Sequence, residues 1–172
     1  MIVIVRIDDR LIHGQVVEGW VNFLRATCIL VADDKVASNV VQRSIMEISV
    51  PQGLKVIIGG VEDICRQMRS TGLEEERSIL LFSNPFDVLR AIKSGLNCRA
   101  INIGGMHCMP GKRKLMDVLA VDDADVDALN ELVAMGVHVD IQAVPNQKPL
   151  PLEKALKACA GETGARNNRP PK

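Results

Sequence analysis

The sequence predicts an α/β fold: an open, doubly wound, mostly parallel sheet with helices on both faces and one antiparallel edge strand. Three observations predict it. Short Val/Ile-rich runs alternate with amphipathic stretches along the chain. Most of these runs are apolar at consecutive positions, as in strands covered on both faces. One late run alternates strictly, as an edge or one-sided strand does. The chain has 172 residues, 47% of them hydrophobic, enough for one sizeable core.

The strand candidates are residues 2–7, 28–32, 55–58, 78–82 and 99–103. Between the first two, Val16, Trp20, Phe23 and Leu24 recur at helical spacing, which places all four on an inward face. Val61, Ile64, Cys65 and Met68 do the same after the third strand. Asn84, Pro85 and Asp87 form a helix start: a cap, a proline in the first turn and an acid near the dipole's positive end. Gly95 is placed to end that helix. Another helix is expected over 123–135, with Val126, Leu129 and Val133 inward and Gly136 terminating it. Residues 112–121 read as a loop with a short strand, and 137–142 as the alternating strand. From Pro145 onward prolines break the pattern, and a short helix fits 152–160. Residues 1–160 therefore read as one domain and 161–172 as a disordered polar tail.

Bulk composition excludes several functions. Basic and acidic residues number 21 each, so no basic field exists for nucleic acid or anionic lipid. Aromatics are 2% of the chain, too few for base-stacking platforms. The five cysteines, at 28, 65, 98, 108 and 159, form no C-x-x-C pair. An odd, scattered set without a signal peptide suggests a reducing cytoplasm, and four of them read as small core residues. No apolar run approaches the roughly 20 residues that cross a bilayer, so a membrane role requires a partner.

In such a sheet, ligands bind beyond the carboxyl ends of the strands. The richest of those ends follows the first strand, where residues 6–16 read RIDDRLIHGQV. A neutral imidazole at His13 is a nucleophile near neutral pH. A helix beginning just behind it offers N–H donors and partial positive charge to an anion. Arg10 adds charge-assisted hydrogen bonds, and Gly14 lets a bulky anion approach. Asp8 or Asp9 could fix the imidazole tautomer or hold Arg10. These parts suit phosphoryl transfer through a phosphohistidine. A solvated turn is the competing reading, and spacing alone leaves both open.

The string from Arg6 to Val16 resembles the motif of the enzyme IIB component of mannose-family (mannose/fructose/sorbose) phosphotransferase systems. The similarity continues in Val31-Ala-Asp-Asp34, Leu80-Leu-Phe-Ser-Asn-Pro85, Ile101-Asn-Ile-Gly-Gly-Met106 and Val144-Pro145, and covers roughly residues 1–145. The resemblance implies a protein-phosphohistidine–sugar phosphotransferase. His13 would take phosphate from a phosphohistidine of a IIA partner and pass it to a sugar presented by membrane IIC and IID subunits. It implies Arg10 as the phosphate-binding arginine and Nδ1 as the phosphorylated nitrogen, in a cytoplasmic protein peripherally associated with the transporter. No cofactor, metal or nucleic acid is expected. A homo-oligomer is left open, and so is the identity of the sugar.

Asp8, Asp9, Gly14, Gln15, Gly104 and Gly105 are the further phosphate-pocket candidates. For Gly104 and Gly105 the other reading is a tight turn. His107 and Cys108 follow them; a histidine so near the site could assist binding or be a second nucleophile, but adjacent ligands are no zinc pattern, and His107 reads first as a loop histidine. His138 sits on the polar side of its strand. Asp33 and Asp34 could rim the pocket or cap the next helix, and capping is the preferred reading. Asp123, Asp125 and Asp127 suit a helix first turn better than a calcium loop, which needs a glycine and a bidentate glutamate. Trp20 reads as core. Two rival functions remain: a phosphorylatable regulatory module without sugar transport, and a phosphate or nucleotide binder. No glycine-rich fingerprint supports the last.

Overall fold

A computed structural model describes residues 1–70, 73 and 75–157. The five consecutive-apolar runs are strands β1 (Ile2–Asp8), β2 (Cys28–Ala32), β3 (Lys55–Gly59), β4 (Ser78–Phe82) and β5 (Ala100–Gly105). Residues 113–121 form a small antiparallel hairpin, β6 (Arg113–Met116) and β7 (Leu119–Val121). Strand β8 (His138–Ile141) and the two-residue β9 (Leu150–Pro151) complete the main sheet. Its order is β3-β2-β4-β1-β5-β8-β9, with every neighbouring pair parallel except β8–β9.

The antiparallel edge thus exists, but in the proline-rich segment rather than in the alternating run. β8 is one-sided, burying Val139 and Ile141, yet β9 covers its outer side. Prolines are tolerated there because one row of an edge strand's backbone groups faces no partner strand.

Alternate strand residues feed two cores. Val5, Ile7, Leu30, Leu80, Phe82, Ile101 and Ile103 face helices α4 (Val61–Ser70), α5 (Pro85–Lys93) and α6 (Asp123–Ala134). Ile29, Val31, Ile79 and Leu81 face the opposite layer. That layer holds a π-helical stretch Gln15–Val21, its continuation α1 (Asn22–Leu24), α2 (Asp34–Ser38) and α3 (Val40–Ile48). Burying one such aliphatic side chain is worth about 1.5–3 kcal/mol, which is why the strands read as unbroken apolar runs.

Local signals set the helix ends. Asn84 accepts from the Asp87 amide at 2.9 Å, with Pro85 in the first turn. Asp122 and Asp125 form a reciprocal capping box for α6. Asp33 caps α2 through the Val36 amide at 2.9 Å. Asp34 instead caps α4, accepting from the Val61 amide 27 residues on at 2.9 Å, and pairs with Arg90. Gly95 and Gly136 follow their helices with φ of +97° and +83°, which other residues adopt only at a cost.

Three expectations need correction. Phe23 is 60% exposed, because the π-helical winding of Gln15–Val21 carries Val17 and Val21 inward in its place. In α6 the buried apolar side chains are Ala128, Leu129 and Leu132, with Val126 and Val133 only partly covered. Of the cysteines, Cys28 and Cys65 are buried and Cys108 is exposed. Residues 152–157 are helical as expected. Cys159, the end of that helix and the tail 161–172 lie outside the described residues. Among the described residues, no helix is long and apolar enough to cross a membrane.

Candidate functional site

The connections from β1 and β5 leave in opposite directions. β1 leads through the π-helical layer to β2, and β5 leads past α6 to β8. The carboxyl ends of these neighbouring strands therefore frame a switch in strand order, where open sheets bind ligands. Asp8 and Asp9 end one strand, Gly104 and Gly105 the other, and the Asp9 amide donates to the Gly105 carbonyl at 3.0 Å.

The site rests on Arg6, a charge that follows four apolar residues of β1 and is 0% exposed. Its register partner on β5 is Asn102, whose Oδ1 accepts from Arg6 Nη1. Nη1 also donates to the Gln142 carbonyl at 3.0 Å, and Nη2 to the Ala143 carbonyl at 3.1 Å. The guanidinium lies 5.0 Å from the Trp20 ring centroid, within cation–π range. Trp20 ties the same corner by donating Nε1–H to the Ala143 carbonyl at 3.1 Å. A Cβ on Gly104 would fall on the guanidinium itself. Gly104 therefore leaves the space that Arg6 fills, and it lies within β5 rather than in a tight turn.

Arg6 Nη2 donates to Asp8 Oδ2 at 2.9 Å. The same oxygen lies 3.0 Å from His13 Nε2. The other oxygen accepts from the Arg10 backbone amide at 3.3 Å and lies 3.6 Å from Arg10 Nε. Burial alone would raise the Asp8 carboxyl; the His13 hydrogen bond and the Arg6 charge outweigh it and hold it below the ordinary carboxylate range. An ionised carboxylate only accepts, so His13 Nε2 carries the hydrogen and Nδ1 keeps the lone pair.

The chain between Asp8 and His13 is shaped to make this contact. The Leu11 amide turns back to the Asp8 carbonyl at 2.9 Å, with Leu11 at φ +54°. That conformation costs roughly 1–2 kcal/mol, and burial of the Leu11 side chain offsets it. The His13 carbonyl accepts from the Val16 and Val17 amides at 2.9 and 3.0 Å, opening the helix that follows. π-helical turns of this kind concentrate at functional sites. Gly14, at the helix start, has nothing within 4 Å of a built Cβ, so the backbone beside His13 is open to a ligand.

Arg10 is 44% exposed and reaches Gln15 Oε1 with Nη2 at 3.0 Å. Asp8 thus meets both His13 and Arg10. Asp9 meets neither: its carboxylate accepts from the His107 amide at 2.7 Å and lies 2.6 Å from His107 Nδ1. Gly105 sits between, since a Cβ there would lie 3.0 Å from His107 Cε1 and 3.4 Å from Asp8 Oδ1. The structure so gathers Asp8, Asp9, Arg10, His13, Gly14, Gln15, Gly104 and Gly105 at one strand end, with His107 beside them. Cys108 turns toward the Lys112 carbonyl, and His138 pairs with Asp140 at the amino end of β8, away from the site. Among the described residues no three His, Cys, Asp or Glu side chains converge as a metal site would need. A cleft of 320 Å³ lies elsewhere, lined by Val17, Val21, Ala26 and Leu54 near the amino ends of β2 and β3.

Sequence reasoning missed Arg6, Asn102 and Gln142 as parts of the site. A signal existed: Arg6 and Asn102 are polar residues inside central apolar strands, and a buried charge needs partners.

The chain matches the family model described as "PTS system sorbose subfamily IIB component" over residues 2–166. It is 36% identical over 155 residues to the N-acetylgalactosamine-specific phosphotransferase enzyme IIB component 2 of Escherichia coli K12, covering 90% of this chain and 98% of that protein. It is 33% identical over 145 residues to the PTS system mannose-specific EIIAB component of the same organism, covering 84% of this chain and 45% of that longer protein. The crystal structure of the IIBSor domain of the sorbose permease from Klebsiella pneumoniae superposes with a TM-score of 0.87 at 32% identity, covering 92% of this chain and 97% of that domain.

Proposed function

The chain belongs to the sorbose-subfamily IIB components of sugar phosphotransferase systems, and on that premise we propose that it carries phosphate on His13 between a IIA protein and a sugar. His13 Nδ1 attacks the phosphorus of a phosphohistidine on the IIA partner. The nitrogen–phosphorus bond of the donor breaks as the bond to Nδ1 forms. The observation that carries this reading is the Nε2–Asp8 contact at 3.0 Å, which leaves Nδ1 as the free lone pair.

Each neighbour has a task. Asp8 holds the tautomer and stabilises positive charge on the ring as the bond forms. Arg6 keeps Asp8 ionised and in place from below. Arg10 binds phosphoryl oxygens, released from Asp8 at little cost because their contact is long at 3.6 Å. The open backbone at Gly14 and the helix start receive the remaining oxygens. The EIIAB relative joins an A and a B component in one name, which supports a IIA partner. Membrane IIC and IID subunits would then present the sugar, and the protein would associate with them from the cytoplasm.

Incubation with a phosphorylated IIA protein tests the reading. Wild-type protein should take up one acid-labile phosphate. His13→Ala should take up none while keeping its circular dichroism spectrum. Full labelling of that variant would refute the assignment. Adding membranes that contain the IIC and IID subunits, with sugar, should then discharge the phosphate. Retention of the label would favour a regulatory module.

A further inference from the structure

The Asp8–His13 contact has a counterpart one residue along. Asp9 grips His107 twice, through the backbone amide at 2.7 Å and through Nδ1 at 2.6 Å. Where His13 is held by Nε2, His107 is held by Nδ1, so its Nε2 is the nitrogen left free. The His107 ring and Asp8 Oδ1 both lie within 3.4 Å of one point above Gly105. Arg10 Nε lies 3.6 Å from that same oxygen. His107 and Arg10 therefore flank one side of the Asp8 carboxylate, and His13 the other.

Charge balance gives this placement a purpose. Arg6 and Arg10 are cancelled by Asp8 and Asp9. A phosphoryl group brings roughly two further negative charges. Arg6 is buried, with both Nη atoms engaged by Asn102, Asp8 and the Gln142 and Ala143 carbonyls, which leaves Arg10 as the exposed cation of the cluster. The basic residues of the segment after β5 are engaged elsewhere: Lys112 with Asp125 at 2.7 Å, Arg113 with Asp123 at 2.6 Å, Lys114 with Asp117 at 2.8 Å. Among the described residues, His107 is the basic side chain that joins Arg10 and His13 at this strand end, and it is 43% exposed.

We infer that His107, held by Asp9, is a second phosphoryl-binding catalytic residue of this site; the inference rests on His13 carrying phosphate. In its protonated form His107 donates Nε2–H to a phosphoryl oxygen while Asp9 keeps the proton on Nδ1. It forms no covalent bond. Its charge joins that of Arg10 on the transferring group, so the two cations share a load that Arg10 alone would leave unbalanced.

The test compares His107→Gln and His107→Arg with wild type. Both keep the backbone amide that Asp9 binds, so the loop retains its anchor. The readout is the rate of phosphoryl uptake from a phosphorylated IIA protein, beside thermal unfolding. His107→Gln should slow uptake about tenfold, the worth of one charge-assisted hydrogen bond. His107→Arg should recover most of that loss. Wild-type uptake in His107→Gln, or equal losses in both variants, would overturn the inference and leave His13 untouched. Absence of phosphate from the wild type itself would instead fell the reading on which the inference rests.

Discussion

His13 Nε2 lies 3.0 Å from Asp8 Oδ2, the oxygen that also accepts from the buried Arg6 at 2.9 Å. One carboxylate oxygen therefore joins the proposed nucleophile to the sheet interior. The orientation of a partly buried histidine is set by a charge that solvent never reaches.

Asp8→Asn should uncouple the two. The amide can present N–H to Nε2, which reverses the tautomer and places the lone pair on the wrong nitrogen. By analogy with a serine protease whose orienting aspartate is so replaced, the rate of phosphoryl uptake should fall about 10²–10⁴-fold. Arg6 also loses its buried counter-charge, at a cost of about 3 kcal/mol. Stopped uptake assays and urea titrations measure the two effects separately.

Stability should depend on acid in a way that Asp8 predicts. Its folded carboxyl lies below its ordinary value of 3.8. The native state therefore binds that proton less readily than the unfolded chain. Its contribution is full above about pH 4 and is lost as pH falls through the lowered folded value. Asp34, held low by the Val61 amide and Arg90, acts in the same direction. Asp87 opposes both: burial raises it, so its ionisation weakens the fold as pH rises from 3.8 through the raised value. Urea midpoints of wild type and Asp8→Asn should differ most near neutrality and converge in acid. A gap that stays constant down to pH 2 would contradict the assignment.

Two glycines should respond oppositely to alanine. At Gly104 the new methyl would occupy the Arg6 guanidinium position, so Gly104→Ala should cost about 3 kcal/mol or more. At Gly14 the methyl meets nothing and the backbone is already helical, so the fold should hold or gain slightly. Gly14→Ala should nevertheless slow phosphoryl uptake, because the methyl fills the open approach beside His13. Thermal unfolding of both variants, with uptake assays on the second, checks the contrast.

Arg10→Ala should leave stability within about 0.5 kcal/mol, since the side chain is half exposed and its ion pair with Asp8 is long. Phosphoryl uptake should drop about 10–100-fold. Arg10→Lys should restore only part of it, as an ammonium cannot reproduce the bidentate fork. A stability loss matching the activity loss would mean that Arg10 is structural instead.

The legible parts of this protein were local ones. Five strands, the Asn84–Pro85 start, the Asp33 cap and the glycines after α5 and α6 each depend on residues a few positions apart. Periodicity and capping are contacts of that range, so they are written in adjacent sequence. The winding of Gln15–Val21 was not legible, because a period drawn for an α-helix places Phe23 inward and a π-turn does not.

The loop from Arg6 to Val16 announced its chemistry by itself: a histidine, an arginine and a glycine between a strand and a helix. It left the two aspartates interchangeable. Only the packing of β5 against β1 separated them, by bringing His107 to Asp9 across 98 residues and leaving Asp8 to His13. The foundation under Asp8 came from farther still, from the Gln142 and Ala143 carbonyls 136 and 137 residues beyond Arg6. Residue type and spacing determine what a side chain can do. Which partner it meets is decided by strand order, because partners so distant in the chain become neighbours only when the sheet closes.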